Sequence, residues 1–354
     1  MRGAVHQFHP VLAPGDAMSD HVFALRARLR SWGYPAEAYA VEAKPGVERE
    51  TLSYRRLFRD VRPEDLLLLH FSMGHEVFEP LARIPCRRVL VYHNVTPPEF
   101  FAGVNDHAAV HARLGLRQLE GLAPRIDLAI GVSEFNRKDL EMAGYARTAH
   151  VPILIDWAKY RVAPDDATLA ALSGTRTTLL FVGRISPNKR QDDLIRMMAY
   201  YRGCVDAEAH LILVGGHADQ PAFHARLRAL QRTLRLEDAV TFTGPIGLPA
   251  LVAHYRHAKC FISLSQHEGF GVPLLEALRF DVPVVAYDAA AVGETLGGAG
   301  ILLFGKDLAE AAEAVALAIG DAALRERLVA AGRRRVADFD ADRVAERTRE
   351  ALEL

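Results

Sequence analysis

Short, continuous apolar runs alternate with longer amphipathic segments along most of this chain, and that alternation limits the possible folds more than any other feature. In the first half the runs are Ala4–Phe8, Leu66–His70, Val89–Tyr92 and Leu128–Val132. In the second half they are Thr178–Val182, Ala209–Val214, Val240–Phe242, Cys260–Leu264 and Val282–Ala286. They are rich in Val, Ile and Leu and lack a strict two-residue alternation, which predicts strands buried on both faces of a parallel sheet. The segments between them carry helical spacing. Val22, Leu25 and Leu29 form one such set, with Ser19 expected as the N-cap and Gly33 as the stop. Leu275 and Leu278 help form another, after Glu268. Strand–helix repetition of this kind implies a doubly wound α/β architecture.

The rhythm breaks once, at Asp156–Thr177, where Pro164, two aspartates and Ser173-Gly174-Thr175 predict a linker with a short helix. The expected division is an N-terminal Rossmann-like domain over 1–156, a linker over 157–177 and a second Rossmann-like domain over 178–336. A C-terminal helix over 337–354 follows. Helical spacing ends the chain, over Leu308–Ile319, Asp321–Val336 and Asp340–Leu352. A length of 354 residues accommodates two domains.

Composition narrows the partners. The net charge is -1, so no global positive field draws in nucleic acid, and none is expected as a partner. Cys86, Cys204 and Cys260 show no CxxC spacing and read as buried thiols in a reducing compartment, not as a disulfide frame. No apolar run follows a basic start, so no signal peptide is expected, and no stretch reaches membrane-spanning length. A cytoplasmic location is the expectation. Arg26, Arg28, Arg30, Arg55, Arg56, Arg59 and Arg62 read as a solvated face, with peripheral contact to anionic lipid at the inner face of the membrane as the alternative.

The chemistry concentrates in the second half. The run Thr178–Val182 leads into Gly183-Arg184-Ile185-Ser186-Pro187-Asn188-Lys189-Arg190. Ligands bind at this carboxyl edge of open α/β sheets. Gly183 permits close backbone approach, and Arg184 and Lys189 can place two cations there. Fixed cations can neutralise a diphosphate leaving group without a metal. The alternative is that both are solvated loop charges. After Cys260–Leu264 comes Ser265 to Glu276, with Glu268, Gly269, Phe270, Gly271 and Val272 opening a helix. Exposed amides at a helix start favour an anionic phosphate. Glu268 can accept hydrogen bonds from a sugar hydroxyl, and Glu276, about two turns along the helix, from a ribose diol. As helix-surface charges both would be unremarkable; beside Arg184 and Lys189 they trace a nucleotide-sugar end to end.

The loop from Gly183 through Pro187 to Lys189, and the Glu268-x7-Glu276 stretch followed by Ala277, Pro283 and Val284, resemble the retaining family-four glycosyltransferases. The resemblance covers nearly the whole chain and is strongest from Leu179 to Leu303. It implies the GT-B fold: two Rossmann-like, doubly wound domains facing a central cleft, with the C-terminal helix packing back on the N-terminal domain. It implies retaining, metal-independent transfer of a hexosyl residue from a nucleotide-sugar, with no cofactor. The acceptor would be a glycan, glycolipid or small molecule, as in polysaccharide or glycoconjugate biosynthesis. Arg184 and Lys189 then match the diphosphate-binding pair, Glu268 the donor-sugar carboxylate and Glu276 the ribose carboxylate. Gly183 belongs to the same donor loop. Gly269, Phe270, Gly271 and Val272 match the backbone facing sugar and phosphate.

The first half is less sharply marked. Val89–Tyr92 ends in His93-Asn94, and a histidine there can bind a sugar hydroxyl or move a proton. By resemblance His93 is the active-site histidine that contacts the donor sugar; a histidine satisfied in a turn is the alternative. Candidates for the acceptor or phosphate loops are Gly15, Asp16, His75, Asn94 and Ser133. Many family members carry two adjacent glycines where this chain has Gly15 alone, and Ser133 could equally be an N-cap.

Other signals point elsewhere. Asp338-Phe339-Asp340 has the spacing of a metal-bound diphosphate motif, but its place before the last helix makes Asp340 a cap. His107 and His111 share a helix face without a third ligand, so no zinc site is expected. No G-x-G-x-x-G opens the first half, which argues against a dinucleotide oxidoreductase. Three rivals remain: a GT-B sugar-nucleotide epimerase, a glycoside phosphorylase, and a non-catalytic nucleotide-sugar or glycan-binding protein.

Overall fold

The structure is a computed structural model that describes residues 3–174 and 177–354. It divides into two compact units. The first comprises the chain up to Glu99, Asp106–Trp157 and Phe339–Leu354; the second comprises Phe100–Asn105 and Ala158–Asp338. The segment expected as a linker therefore belongs to the second unit from Ala158 onward. Its helix, Asp166–Leu172, is capped by Asp165, whose own amide donates to Pro249 O at 3.0 Å. That anchoring is tertiary and leaves no mark in composition. Thr175 and Arg176, also within the expected linker, lie outside the described residues.

In the first unit the strands are β1 (Val5–Leu12), β2 (Ala36–Ala43), β3 (Leu52–Ser53), β4 (Leu66–Phe71), β5 (Arg87–Tyr92), β6 (Leu128–Gly131) and β7 (Thr148–His150). Their order across the sheet is β3-β2-β1-β4-β5-β6-β7. In the second unit they are β8 (Thr178–Val182), β9 (His210–Val214), β10 (Val240–Gly244), β11 (Cys260–Ser263), β12 (Val284–Tyr287) and β13 (Ile301–Leu303), in the order β10-β9-β8-β11-β12-β13. Every pairing among the described strands is parallel, as the unalternating apolar runs require. Leu67, Leu68, Leu69, Leu179, Leu180 and Leu211 are fully buried, which puts each sheet at the centre of its unit.

Four strands escape the sequence reading. Ala36–Ala43 holds four alanines and two glutamates, good helix formers that read against a strand. It becomes one because β1 pairs along nearly its whole length, and tertiary pairing outweighs weak local preference. The runs Leu52–Ser53, Thr148–His150 and Ile301–Leu303 are too short to stand out.

The first helix runs Ala17–Ser31, and its N-cap is Asp16 rather than the expected Ser19. Asp16 Oδ2 accepts from Ser19 N at 3.0 Å and from Ser19 Oγ at 2.9 Å. The last helix, Ala341–Leu352, is capped by Asp340, which accepts from Asp342 N and Arg343 N. It packs within the first unit: Arg87 Nη1 donates to Leu352 O at 2.6 Å, and Trp157 Nε1 donates to Phe339 O at 2.9 Å. A removed Asx cap costs about 1 kcal/mol of stability. Asp16→Ala is expected to lower the unfolding free energy by that amount, read as a shift in urea midpoint at unchanged slope.

Candidate functional site

In the second sheet the strand order reverses direction between β8 and β11. Loops leaving the carboxyl ends of these strands diverge to opposite faces, which opens a crevice at the sheet edge. The loops there are Gly183–Arg190 and Leu264–Gly271, the two that carry most of the chemistry read from the sequence.

Asn188 ties them together. Its carbonyl accepts from Gln266 N at 2.8 Å, and its Nδ2 donates to His267 O at 3.1 Å. Its Oδ1 takes the Ser186 hydroxyl at 2.7 Å. Arg190, in the left-handed region at φ 53°, donates to Gln266 Oε1 at 3.1 Å. Across this stitch Lys189 Nζ donates to Glu268 Oε2 at 2.5 Å, with both side chains largely buried. The expected diphosphate cation and donor-sugar carboxylate thus face each other directly.

Arg184 is placed differently. Its side chain is 57% exposed and turns to Asp219 on the loop after β9, with Nη1 3.3 Å from Oδ2. Gly183 lies against that same loop. A Cβ on Gly215 would stand 2.1 Å from Gly183 O, so the two loops approach only because position 215 is glycine. The helix Val272–Arg279 begins after Gly271, which takes φ 91°. Pro273 has no N–H, and Leu274 N donates to Gly271 O at 3.0 Å, so this helix tip offers fewer amides to an anion than its spacing suggests. Glu268 O accepts from Ala291 N and Phe270 O from Thr295 Oγ1, which fixes the segment Glu268–Phe270 from behind.

Glu276, the expected ribose carboxylate, is 7% exposed. One oxygen accepts from the Tyr160 hydroxyl and the other from the Tyr255 hydroxyl, the latter at 2.6 Å. Phe280 stacks on the Tyr255 ring at 5.2 Å. A carboxylate has about four lone-pair sites, so two tyrosines leave acceptor capacity. Burial and the neighbouring carboxylate push the Tyr255 hydroxyl well above its usual range, so it stays a donor. Lys306 was not foreseen. It donates to Leu264 O at 2.6 Å and lies 4.0 Å from the Tyr287 ring centroid, and burial pushes its ammonium down to about 8. It follows β13, itself missed, so no local signal pointed to it.

In the first unit the order reverses between β1 and β4. Gly15 takes φ 72° in the loop after β1, and Asp16 is engaged as the helix cap. His75 is satisfied in a turn: its N–H and C=O bond the Gln118 amide at 3.0 Å each, and its Nδ1 accepts from Val77 N. Asn94, at φ 82°, donates to Asn136 Oδ1 at 2.8 Å and Asp139 Oδ2 at 3.1 Å. Ser133 caps the helix Glu134–Met142, accepting from Asn136 N at 3.1 Å. These four candidates, Asp16, His75, Asn94 and Ser133, all carry local structural bonds.

His93 is different. It belongs to a cluster with His21 and His70 that the sequence reading did not assemble, because its members lie on a helix, β4 and the end of β5. His70 Nδ1 and His93 Nε2 are 3.0 Å apart, and Gln7 Oε1 is 3.0 Å from His70 Nε2. Leu154 N donates to His21 Nδ1 at 2.9 Å. Burial is the largest influence on all three. It pushes His21 down to about 4, and with neighbouring imidazoles it holds His70 and His93 well below the usual histidine range.

The three rings offer nitrogens within 4.8 Å of one another, a spacing that could hold a metal ion. A ligating histidine ordinarily donates its other N–H to an acceptor. Only His70 has one, in Gln7; His21 Nδ1 instead receives an N–H, and His93 Nδ1 has no partner among the described residues. The hydrogen bonds fit neutral imidazoles better than metal ligands. The His107 and His111 rings are tilted against each other, with centroids 4.4 Å apart, and His111 Nδ1 lies 3.0 Å from Gly74 O.

Two parallel-sheet Rossmann-like units, each with its loops gathered at a switch point, define the GT-B fold, and solved structures agree. The sucrose-phosphate synthase of Thermosynechococcus elongatus superposes with a TM-score of 0.78 at 19% identity, covering 99% of this chain and 98% of that one. Anabaena HepE in complex with UDP-glucose superposes at 0.80 and 19% identity, covering 99% of each. Residues 170–335 match the family described as glycosyl transferases group 1. The chain is 31% identical over 222 residues to a GDP-mannose-dependent alpha-(1-6)-phosphatidylinositol monomannoside mannosyltransferase of Mycobacterium tuberculosis, covering 58% of this chain and 55% of that protein. It is 33% identical over 187 residues to a D-inositol 3-phosphate glycosyltransferase of Kineococcus radiotolerans, covering 51% and 42%. The matched stretch spans about half the length of these curated relatives. No helix among the described residues is long and apolar enough to cross a membrane.

Two outcomes follow from this geometry. The unfolded chain takes up protons on these histidines near pH 6.5, whereas the folded chain resists until about pH 4 at His21. Their stabilising contribution is present above that unfolded value and is lost as pH falls between the two. The melting temperature should therefore drop over that interval, and less steeply in His21→Phe. Separately, Tyr255→Phe removes a donor from the buried Glu276 and should cost about 1–3 kcal/mol in denaturant unfolding.

Proposed function

We propose that this protein is a retaining, metal-independent glycosyltransferase that moves a hexosyl residue from a nucleotide-sugar to the hydroxyl of a glycan, glycolipid or small-molecule acceptor. The observation that carries the reading is the Lys189–Glu268 pair, held by Asn188 at the β8/β11 switch point. The match of residues 170–335 to the glycosyl transferases group 1 family supports it, as does a relative whose name specifies a GDP-mannose-dependent mannosyltransferase.

In this reading the bond between the anomeric carbon and the diphosphate oxygen breaks as the acceptor oxygen bonds the same carbon. The acceptor proton passes to the departing phosphate on the same face, so configuration is retained. Lys189 stabilises the charge that grows on the diphosphate, and Arg184 can rotate from its exposed contact with Asp219 to join it. Gly183, Gly269, Phe270, Gly271 and Val272 form the backbone around donor sugar and phosphate. Glu268 exchanges its bond with Lys189 for a sugar hydroxyl and orients the sugar, without acting as a nucleophile. Glu276, pre-set by its two tyrosines, accepts from the ribose diol. His93 accepts from a sugar hydroxyl. Biosynthesis of polysaccharide or glycoconjugate, at a cytoplasmic site, is the setting this chemistry suits.

A thermal-shift panel of UDP-, GDP-, ADP- and TDP-sugars tests the donor. Saturation at about 100 times Kd adds about 2.7 kcal/mol of stability. With the stabilising donor, Lys189→Ala should lower turnover on the order of 10²–10³-fold, and EDTA should leave the rate unchanged. Undiminished turnover in Lys189→Ala would contradict the assignment. Epimerised sugar formed from donor alone would favour the epimerase, a requirement for inorganic phosphate the phosphorylase, and binding without turnover a non-catalytic protein.

A further inference from the structure

His93 Nδ1 is buried and has no hydrogen-bond partner among the described residues. A buried polar atom without a partner is rare enough to require an explanation. Its neighbours determine which proton His93 carries. The carbonyl of Val22 can only accept, so the Gln7 atom 3.0 Å from it is the amide nitrogen, and Gln7 Oε1 faces His70. A carboxamide oxygen also only accepts, so His70 Nε2 carries a hydrogen and donates it. Burial holds His70 neutral, which leaves its Nδ1 bare. His93 Nε2 therefore donates to that Nδ1 at 3.0 Å. His93 is held neutral too, so its single ring hydrogen is committed and Nδ1 keeps an open lone pair. His21 adds no charge to this line. Its Nδ1 takes the Leu154 amide, and its ring stands edge-on to His70 and His93 at 5.5 and 5.7 Å.

We propose that Gln7 and His70 are positioning residues that lock His93 as its Nε2–H tautomer, so that Nδ1 serves as an acceptor for a ligand hydroxyl. This rests on the function proposed above for the identity of that ligand as a sugar. Without the relay, neutral His93 could hold its proton on either nitrogen. With it, the ring accepts from a hydroxyl and repels a phosphate or carbonyl oxygen, which also only accepts. Gln7 is 0% exposed on the central strand β1, so the lock is set from inside the core, away from ligand and solvent.

The test is long-range proton–nitrogen correlation on the full chain labelled at histidine nitrogens, with His93 assigned by comparison with His93→Gln. The wild type should show His93 protonated on Nε2 alone near neutral pH. Adding the nucleotide-sugar that gives the largest thermal shift should move the His93 Nδ1 resonance and leave His70 Nε2 in place; inorganic phosphate should move neither. Gln7→Leu should give a mixture of His93 tautomers and lower kcat roughly tenfold at similar donor KM, an effect of the size expected for one misplaced neutral hydrogen bond.

Protonation of His93 on Nδ1, or a stoichiometric metal in the purified protein, would overturn the proposal. So would an unmoved Nδ1 in the presence of a bound nucleotide-sugar, or a changed tautomer with unchanged turnover. If Gln7→Leu does not fold, the wild-type spectra decide alone. If no nucleotide-sugar stabilises the protein, the proposed function fails, while the tautomer is still read directly.

Discussion

Parallel pairing is the constraint from which the rest of this structure follows. A parallel strand cannot be reached by a tight turn, so each pair requires a crossover, and the crossover helices cover both faces of the sheet. All carboxyl ends then point the same way, and the functional loops collect along one edge. Where strand order reverses, at β1/β4 and at β8/β11, neighbouring crossovers leave in opposite directions and the loops part. The Lys189–Glu268 pair sits at one reversal, and the Gln7–His70 contact joins the two strands of the other inside the core.

The loops Gly183–Arg190 and Leu264–Gly271 are joined to each other through side chains. Asn188 joins them by bonding backbone of the facing loop on both its carbonyl and amide sides. It also brings opposite charges into contact, so each neutralises the other while no ligand is bound. A partly buried ion pair of this kind is weak support for stability, since desolvation offsets much of the attraction. In the function proposed above, its value lies in holding two groups that a phosphate and a sugar hydroxyl could later claim. Glu276 follows the same logic with neutral donors: two phenols satisfy a buried carboxylate without using all its lone pairs.

The interior of the first unit carries an unusual polar load. Gln7, His21 and His70 are buried, and His93 nearly so, on or beside central strands where apolar side chains would pack more favourably. Their bonds are mutual, and neutrality keeps the desolvation cost modest. A bonded polar line in a core specifies one arrangement, and here it ends on His93 Nδ1, which has no partner among the described residues.

Much of this was legible in order along the chain. The unalternating apolar runs named nine strands and their parallel pairing, because burial on both faces acts residue by residue. Gly183 to Lys189 and Glu268 to Glu276 stood out because each follows such a run. Ala36–Ala43 did not, since its alanines and glutamates favour helix until β1 is beside it. The sequence offered Ser133 as a helix cap, which it is, but placed the first cap at Ser19 instead of Asp16 and could not say that Arg184 turns to Asp219. It could not join Tyr160 to Glu276, Gln7 to His70, or His70 to His93, across separations of 116, 63 and 23 residues. Periodicity is a local property of the chain and can be read locally. A hydrogen-bond partner, and the tautomer it enforces, exists only once the fold has brought distant strands to within 3 Å.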